Sequence, residues 1–333
     1  MSVTIVAGGF WGDEGKGKVV AYLAIQDNPS HVVRAGVGPN AGHTIHFQGR
    51  KWVLRQVPSG FVNAQSRLLI GAGVLLDPRV VQQEVSELGL SGRLGIDGQC
   101  TVIEEEHIQQ DRSSEHLAKK VGTTGTGCGP ANEARVRRQA RLARDLPELK
   151  PYLADVPLEL HRTLKAGHHV LIEGTQGFGL SLYHGSYPFV TSKDTTASAF
   201  CMDVGIGPTR VNQVIVVFKA YVSRVGEGPL SMPLSPEEVR VRGWEEFGAV
   251  TGRPRRIGEF DLELARRAVM INGATQVAVT CLDKRFPECY GTTRREQLSP
   301  AAEGFLAKIE GELELPVTMI STGPELAQMI DRR

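Results

Sequence analysis

The chain alternates short apolar runs with polar, glycine-containing turns, and several runs have the length of buried β-strands. We predict strands over Val3–Ala7, His31–Arg34, His169–Ile172, Gln213–Phe218 and Thr275–Thr280. The same criterion predicts further strands at Val53–Val57, Leu68–Ile70 and Pro316–Ile320. Runs that are apolar on successive residues are typical of strands buried on both faces of a parallel sheet.

Helical periodicity lies between these strands. Apolar residues recur at helical spacing from Pro78 to Leu88, after Asp77 as a candidate N-cap and before Gly89 as a stop. A second amphipathic helix is predicted over Phe260–Ile271. Strands that alternate with helices predict an α/β fold with a mostly parallel central sheet flanked by helices, whose ligands lie beyond the carboxyl ends of the strands.

Other stretches have no regular apolar period. Residues 119–132 are rich in Gly and Thr, which predicts a loop that binds a ligand or moves. Residues 146–166 look helical but contain Pro151 and Pro157, so we expect a break or two shorter helices. After the strand at 316–320, Ser321–Pro324 is predicted to lead into a last helix.

Two charged stretches are predicted to be helical and solvated. Glu104–His107 lacks evident metal-site spacing and is interpreted as an exposed helix face. Arginines follow on a predicted helix, and most of them are expected to form a basic solvent face; they are Arg135, Arg137, Arg138, Arg141 and Arg144.

Composition narrows the class of protein. Among 333 residues, 41% are hydrophobic and 23% are charged, with a formal net charge of +1, which argues against bulk electrostatic binding to nucleic acid or membrane. The five cysteines have no C-x-x-C spacing, which indicates reduced thiols. No leader pattern and no apolar run near 18 residues is evident, so we expect a soluble, cytoplasmic protein. Without a repeat or clear linker, we predict one domain over residues 1–333.

The strongest chemical signal is the glycine-rich segment Gly8–Lys18, between the first strand and a helix. Its amides and the helix N-terminus suit phosphate, and Lys16 adds a mobile cation. The strict P-loop pattern is not met, because Phe10 occupies the first glycine position and Gly17 replaces the Ser or Thr that binds magnesium. Asp13 stands inside the loop, where triphosphate would repel it unless a metal or a chemical role keeps it there.

A second signal is the arginine-rich segment Thr251–Arg256. Three of its residues are arginines set among Gly and Pro, and such a cluster is costly to hold together without anions. An exposed basic loop would explain the composition equally well. Substrate carboxylates would explain it better, since guanidinium groups bind carboxylates bidentately.

The string Trp-Gly-Asp-Glu-Gly-Lys-Gly-Lys at 11–18 resembles the opening signature of the adenylosuccinate synthetase family. Segments similar to that family recur in order over essentially the whole chain: Asn40–Thr44, Gly122–Gly125, Glu173–Gly177, Tyr187–Ser192, Thr251–Arg256 and Ile320–Pro324. The chain is most similar to the shorter, archaeal-type members, because inserts of longer members are absent after Arg144 and after Asp283. The resemblance implies the fold of that family, with a P-loop-like phosphate loop.

The family reaction is the GTP-dependent joining of L-aspartate to inosine monophosphate (IMP), through a 6-phosphoryl-IMP intermediate. The resemblance implies that Asp13 takes the purine N1 proton and that His43 is the acid that stabilises the leaving β-phosphate oxygen. It also implies that Lys16 and Gln176 belong to the catalytic group, and that Asp13 and the Gly42 carbonyl bind Mg²⁺.

Substrate contacts are implied in the same way. The residues matching the triphosphate site are Gly12, Glu14, Gly15, Lys16, Gly17, Lys18, Thr44, Asp283, Ser321, Gly323 and Pro324. Those matching the IMP site are Asp13, Asn40, Ala41, Gly42, Thr124, Arg138, Gln176, Thr191, Val225 and Arg253. Those matching the aspartate site are Val250, Thr251, Gly252, Arg253 and Arg255. Arg138 would reach the neighbouring active site, so the resemblance also implies a homodimer.

Two departures leave alternatives open. Cys281 stands where longer members carry the lysine that stacks on guanine, while Asp283 is retained, so ATP could replace GTP. Val250 stands where longer members have Thr, which removes one possible hydrogen bond to aspartate. A phage-type relative that acts on dGMP is a further alternative, although such relatives tend to carry Ser in place of Asp13.

Two unrelated classes fit the sequence less well. A GTPase switch requires a P-loop Ser or Thr and an N-K-x-D motif, and the sequence has neither. A dinucleotide-binding oxidoreductase requires G-x-G-x-x-G opening a helix, with an acidic residue at the proper distance, and that pattern is absent as well.

Overall fold

A large α/β sheet organises the chain, and the computed structural model describes residues 2–90, 92–248 and 252–333. The strands are β1 (Ser2–Gly8), β2 (His31–Arg34), β3 (His43–Phe47), β4 (Arg50–Leu54), β5 (Arg67–Ile70), β6 (Leu75–Leu76), β7 (Leu94–Asp97), β8 (Thr101–Val102), β9 (Leu153–Ala154), β10 (His169–Glu173), β11 (Gln213–Lys219), β12 (Val222–Arg224), β13 (Arg256–Gly258), β14 (Gln276–Thr280), β15 (Val317–Ser321) and β16 (Met329–Asp331). The helices are α1 (Lys16–Gln26), α2 (Pro78–Leu88), α3 (Glu105–Ser113), α4 (Cys128–Val136), α5 (Val156–Lys165), α6 (Ala197–Val204), α7 (Pro236–Val241), α8 (Leu262–Asn272), α9 (Leu282–Arg285) and α10 (Pro300–Leu313).

Within the described residues, ten strands form one sheet in the order β16-β15-β14-β11-β1-β10-β2-β5-β7-β9. Neighbours pair in parallel except β15 and β16, which are antiparallel. The predicted mostly parallel α/β fold is therefore confirmed, with β1 and β10 at its centre. None of the helices in this part of the chain has the length and apolar character that crossing a bilayer needs.

Both faces of the sheet are buried, which explains the continuous apolar runs. In β1, Val3, Ile5 and Ala7 belong to the core on one face, while Val6 belongs to the core on the other. Helices α1 and α2 cover the second face, and α5, α6, α8 and α10 cover the first. The predicted cap holds as well: the Asp77 side chain accepts a hydrogen bond from the amide of Arg79, and Gly89 ends α2 with a φ of 62°.

The strand predicted at 53–57 is wrong in its second half. The strand β4 ends at Leu54, and the next three amides, of residues 55–57, donate to the Glu84 carboxylate. A side chain that accepts from successive amides bends the backbone away from a strand ladder.

The arginine-rich helix is also wrong. The helix α4 begins at Cys128, inside the stretch predicted to be irregular, and ends at Val136, so most of the arginines lie beyond it. Arg138 has a φ of 64°, which a continuing helix does not allow. A π-helical turn at His116–Val121 was likewise not predicted.

The last helix is replaced by β16, whose residues alternate between the two cores: Met329 packs on one face of the sheet and Ile330 on the other. The break between Pro151 and Pro157 is confirmed, because the 3-10 helix Pro147–Tyr152, β9 and α5 occupy this region.

The acidic cluster at 104–107 is only partly solvated. His107 is buried, and its Nδ1 accepts from the amide of Glu104 at 3.0 Å, which caps the start of α3. Side-chain atoms of Glu104, Glu106 and His107 that could bind a metal lie within 4.8 Å of one another. The hydrogen bond from the Glu104 amide already explains the position of His107 as a helix cap.

Candidate active site

A cavity of about 610 Å³ opens at the carboxyl ends of the central strands. Three of these strands end in buried charged side chains, Arg34 on β2, Glu173 on β10 and Lys219 on β11. Arg34 and Glu173 are direct neighbours in the β2–β10 register. The edge of the sheet that the sequence predicts for ligands is therefore the one where charge is concentrated.

The glycine-rich loop after β1 is held closed by one of its own carboxylates. Glu14 is buried, and its Oε1 accepts from the amides of Phe10 at 3.0 Å and Gly12 at 2.8 Å. Its Oε2 accepts from the Lys16 ammonium at 2.6 Å. The predicted phosphate cation thus has an internal carboxylate as its partner.

Phe10 replaces the first P-loop glycine because it serves the core. Its ring packs against Phe218 and Phe260, with ring centroids 4.8 Å and 5.1 Å away. Gly9 must stay small for the same reason, since a Cβ there would lie 2.0 Å from the Phe218 ring.

Asp13 faces the cavity from a backbone with a φ of 58°. Its carboxylate forms an ion pair with Arg255, whose Nε also lies 3.9 Å from Glu246. Glu246 in turn accepts from Lys219 at 2.6 Å and from the Tyr221 hydroxyl. Burial opposes ionisation of Glu246, but the Lys219 ammonium holds the pKa of that carboxyl below its usual value.

His43 begins β3 and lies against a buried group that we call the Glu173 cluster, formed by Arg34, His43, Ser59 and Glu173. His43 Nδ1 contacts Glu173 Oε1 and lies 2.6 Å from the Arg34 guanidinium. Burial, and then the charge of Arg34, lower the pKa of His43 to about 4. Burial opposes ionisation of Glu173, but Arg34 and His43 lower its pKa to about 2.

The loops around the cavity add polar groups. Gln176 Nε2 donates to Asn40 Oδ1 at 3.2 Å, and Gln176 has a φ of 54°. The buried Asp111 accepts from Thr123 Oγ1 at 2.8 Å and from the Gly127 amide at 2.9 Å, which fixes the loop that carries Thr124.

Two arginines position further segments. Arg253 donates to the carbonyls of Gly122 at 2.9 Å and Thr123 at 3.2 Å. Arg224 donates to Ser186 Oγ at 2.9 Å and to the Phe189 carbonyl at 2.8 Å, just before Thr191. Burial, and then the charge of Arg256, lower the pKa of Arg224 to about 10.

Most of the predicted site residues line this one cavity. They are Gly12, Asp13, Gly15, Lys16, Gly17, Asn40, Ala41, Gly42, His43, Thr44, Thr124, Gln176, Thr191, Val225, Arg253 and Arg255. The other predicted site residues that the structure describes do not line it. They are Glu14, Lys18, Arg138, Gly252, Asp283, Ser321, Gly323 and Pro324. Val250 and Thr251 lie outside the described residues.

Lys18 faces away from the cavity. Its ammonium donates to Ser321 Oγ at 2.8 Å and to the carbonyls of Gly323 at 2.7 Å and Gln328 at 2.8 Å. Burial lowers its pKa to about 8, against the opposing charges of Cys281 and Asp283. The predicted triphosphate residues at 283–324 therefore group around Lys18, and their contact with a nucleotide stays a prediction.

Sequence reasoning missed the roles of Arg34, Ser59, Lys219 and Glu246. The available signal was the charged residue that ends each apolar run, as in His-Val-Val-Arg34 and Val-Ile-Val-Val-Phe-Lys219. Glu173 was part of a quoted motif but received no role. A charge placed where a buried strand meets the ligand-binding edge is a signal that the sequence contains.

The chain is similar to known proteins over its whole length. The sequence model of the family described as adenylosuccinate synthetase matches residues 5–148 and 140–287. The chain is 58% identical over 333 residues to an adenylosuccinate synthetase of Archaeoglobus fulgidus, covering 100% of this chain and 99% of that protein. It is 53% identical over 336 residues to the one of Methanosphaera stadtmanae, covering 100% and 98%.

Solved structures show the same fold. A fully ligated adenylosuccinate synthetase from Plasmodium falciparum superposes with a TM-score of 0.91 at 23% identity, covering 100% of both chains. A cyanophage S-2L succinoaminodeoxyadenylate synthetase bound to dGMP and dATP superposes with a TM-score of 0.82 at 26% identity, covering 99% of this chain and 95% of that one.

The position of Gly17 yields a first prediction. A Cβ at Gly17 would lie 2.8 Å from the Cβ of His43, so Gly17 lets the start of β3 approach α1. Gly17→Ala should gain about 0.5–1 kcal/mol of helix propensity but lose about 1–3 kcal/mol to overpacking. We expect a net loss of unfolding free energy, measured by urea denaturation.

The control is Gly304→Ala in α10, where a Cβ would meet no heavy atom within 4 Å. That variant should be as stable as the wild type or more stable. Equal stability of the Gly17→Ala protein would show that β3 is not held against α1 in this way.

Proposed function

The chain belongs to the adenylosuccinate synthetase family, and we propose how its own side chains carry out the family reaction. The protein is a purine-biosynthetic ligase that joins L-aspartate to IMP at the expense of GTP, giving adenylosuccinate. The observation that carries the assignment of roles is that Asp13, Lys16 and His43, from two separate elements, all reach one cavity at the carboxyl edge of the sheet.

The reaction needs a leaving group at carbon 6 of the purine. Asp13 takes the N1 proton, so that O6 attacks the γ-phosphorus and the bond from that phosphorus to the β–γ bridging oxygen breaks. GDP leaves, and 6-phosphoryl-IMP remains. The aspartate amine then attacks carbon 6 and loses a proton, and phosphate leaves with the ring oxygen.

Lys16 and His43 act on the phosphates. The Lys16 ammonium exchanges Glu14 for phosphate oxygens, and the amides at the start of α1 donate to the same anion. His43, as the imidazolium, donates from Nε2 to the β-phosphate oxygen as charge develops there, and Gln176 holds the purine beside Asp13.

The donor set fits Mg²⁺. Asp13 and the Gly42 carbonyl both line the cavity, and both supply the hard oxygen ligands that magnesium prefers. When bound, magnesium neutralises part of the triphosphate charge. The Asp13 carboxylate, whose partner here is Arg255, is the group that would change partners.

The residues that line the cavity support the proposed nucleotide and aspartate sites. Asn40, Thr124, Thr191, Val225 and Arg253 surround the space for IMP, with Ala41 and Gly42 beside them. Arg253 and Arg255 supply guanidinium groups for the aspartate carboxylates, together with the segment 250–252. Asp283 reads guanine, with Ser321, Gly323 and Pro324 around the base.

The dGMP alternative is not favoured. Curated relatives at 52–58% identity over the full length carry the adenylosuccinate synthetase name, whereas the dGMP-bound phage protein is 26% identical. Cys281 occupies the position of the stacking lysine, so the preference for GTP over ATP is tested separately below.

We also propose a homodimer in which Arg138 completes the neighbouring active site. Arg138 is exposed and lies in a left-handed backbone conformation, which costs about 1–3 kcal/mol for a residue other than glycine. Within the described chain, its guanidinium has no hydrogen-bond or ion-pair partner. A partner in a second subunit would account for both features.

The proposed setting is the cytoplasm. Cys100, Cys128, Cys201 and Cys289 are buried free thiols, and Cys281 is a free thiol too. Burial raises the pKa of the Cys100 thiol, and that of Cys128 to about 11, so these groups act as apolar packing.

A substrate matrix tests the function. The purified protein is incubated with aspartate and magnesium and with each pair of IMP or dGMP and GTP or ATP, and product formation is followed by absorbance. We expect product with IMP and GTP. Product with dGMP but not with IMP would contradict IMP as the substrate. A preference for ATP over GTP would contradict the role of Asp283 in reading guanine.

The role of Asp13 gives the second prediction. Asp13→Asn should keep the fold, because Asn tolerates a φ of 58°, but the amide cannot take a proton. We expect at least a 100-fold loss of turnover. Glu227 is an exposed carboxylate on the cavity wall, and the control Glu227→Gln should keep wild-type turnover. An Asp13→Asn protein that retains a tenth of the wild-type turnover would refute the role of Asp13 as the base.

The third prediction tests the arginine segment. Arg253→Leu should raise the aspartate KM about 10- to 100-fold, since a charge-assisted bond contributes about 1.5–3 kcal/mol. Arg256→Leu is the matched control, because Arg256 donates to the carbonyls of Gly226 and Gly228 and does not line the cavity. An unchanged aspartate KM in Arg253→Leu would return the segment to a solvated basic loop.

The fourth prediction tests the dimer. Arg138→Leu should raise the IMP KM, whereas Arg141→Leu should not, since Arg141 pairs with Glu104 at 3.1 Å. Mixing Arg138→Leu with Asp13→Asn should restore activity, because one site of a heterodimer then has both residues intact. If subunits exchange and activity does not return, the proposal that Arg138 completes the neighbouring active site is wrong.

A further inference from the structure

We propose that Glu173 is a positioning residue for His43: its buried carboxylate holds the imidazole through Nδ1, so that Nε2 is presented to the triphosphate. The proposal rests on the proposed function of His43 as the acid. It adds Glu173, Arg34 and Ser59, which form the other members of the Glu173 cluster.

The carboxylate of Glu173 is fixed from several sides. Its Oε2 accepts from the Ser59 amide at 2.6 Å, and its Oε1 accepts from Ser59 Oγ at 2.5 Å and from Arg34 at 2.9 Å. Its side chain has no solvent exposure. The fourth contact of this carboxylate is His43 Nδ1.

Arg34 makes the cluster rigid. Its Nε donates to the Gln56 carbonyl at 3.2 Å and its NH2 group to the Val57 carbonyl at 3.0 Å, so the guanidinium is held on the backbone as well as on Glu173. These carbonyls precede the 3-10 turn that carries Ser59. Neither charge of the pair can turn toward the cavity without losing several hydrogen bonds.

His43 is the member of the cluster that lines the cavity. Nδ1 is occupied by the cluster, while Nε2 has no hydrogen-bond partner among the described residues. The ring cannot rotate by half a turn without breaking its contact with Glu173. A buried carboxylate that fixes the far nitrogen of a catalytic imidazole also selects its tautomer.

The other groups that face His43 come from α1 and β2. Lys16 lies near the ring on the α1 side, and Arg34 lies on the β2 side, so two cations and the Glu173 carboxylate surround it. An imidazole between two cations would turn away from them unless an anion held it. Glu173 is that anion.

The chemical consequence concerns the departure of GDP. As the γ-phosphorus to bridging-oxygen bond breaks, that oxygen, which stays with GDP, accepts a hydrogen bond from Nε2–H of the His43 imidazolium, whose second proton, on Nδ1, is donated to Glu173. Glu173 keeps the donor aligned with this oxygen, and it takes no proton itself. Loss of Glu173 should therefore slow the chemical step and leave substrate binding intact.

The test is Glu173→Gln, which keeps the size of the side chain. The amide has one oxygen that accepts hydrogen bonds, whereas the carboxylate has two. We expect kcat to fall about 10- to 100-fold, as for partners that orient a catalytic ligand, with the KM values for IMP, GTP and aspartate within about twofold of wild type. Glu173→Gln in a His43→Ala background should cause no further loss. Ser59→Ala should cause a smaller loss of kcat in the same direction.

Glu84→Gln is the matched control, because Glu84 is a buried carboxylate that binds the amides of residues 55–57 and does not contact His43. It should lower the unfolding temperature without a selective fall in kcat. If Glu173→Gln merely weakens the fold, it should behave as Glu84→Gln does.

A measurement without turnover completes the test. In protein labelled with ¹⁵N-histidine, His43 should carry its proton on Nδ1 in the wild type and lose this preference in Glu173→Gln. A folded Glu173→Gln protein with wild-type kcat, or a wild-type His43 without a proton on Nδ1, would overturn the proposal. Failure of the wild type to form adenylosuccinate would instead overturn the proposed function.

Discussion

Charge compensation at the carboxyl edge of the sheet is the interaction on which the site depends. Both faces of the central strands are buried, so a charged side chain can be placed only where a strand ends. Arg34 and Glu173 stand side by side at such ends and neutralise each other. An uncompensated charge there would cost several kcal/mol, so each member of the pair depends on the other.

Close backbone approach is the second constraint, and it explains why the loop departs from a P-loop. Gly8 and Gly177 leave room for Glu14, since a Cβ at either position would lie within about 2.6 Å of its carboxylate oxygens. A serine at position 17 would meet the start of β3. The chain thus places a histidine of another element where a P-loop would place its hydroxyl.

The sequence predicted the parts of this protein that depend on local pattern. Buried strands, the Asp77 cap, the glycine-rich loop and the motif residues could be found because their periodicity or spacing is contained in a few neighbouring residues. Cavity residues came from the family resemblance. The single-domain organisation stays a prediction.

Two of the errors have a common physical origin in contacts between distant segments. The amides of residues 55–57 left the strand because Glu84 binds them, and the C-terminal segment became β16 because Met329 and Ile330 pack into the cores on opposite faces of the sheet. These partners are far apart in sequence, so local propensity could not show them. The arginine helix is a separate case, because it ended at Val136, two residues before Arg138 takes a left-handed conformation.

Three cations of the cavity are paired with carboxylates of the same chain. Lys16 pairs with Glu14, Arg255 with Asp13, and Lys219 with Glu246, so each of these cations has its own carboxylate. These three pairs therefore add no net charge to the cavity. Phosphates and carboxylates must exchange with these internal partners, and such an exchange favours a ligand that matches the geometry of several pairs at once over an arbitrary anion.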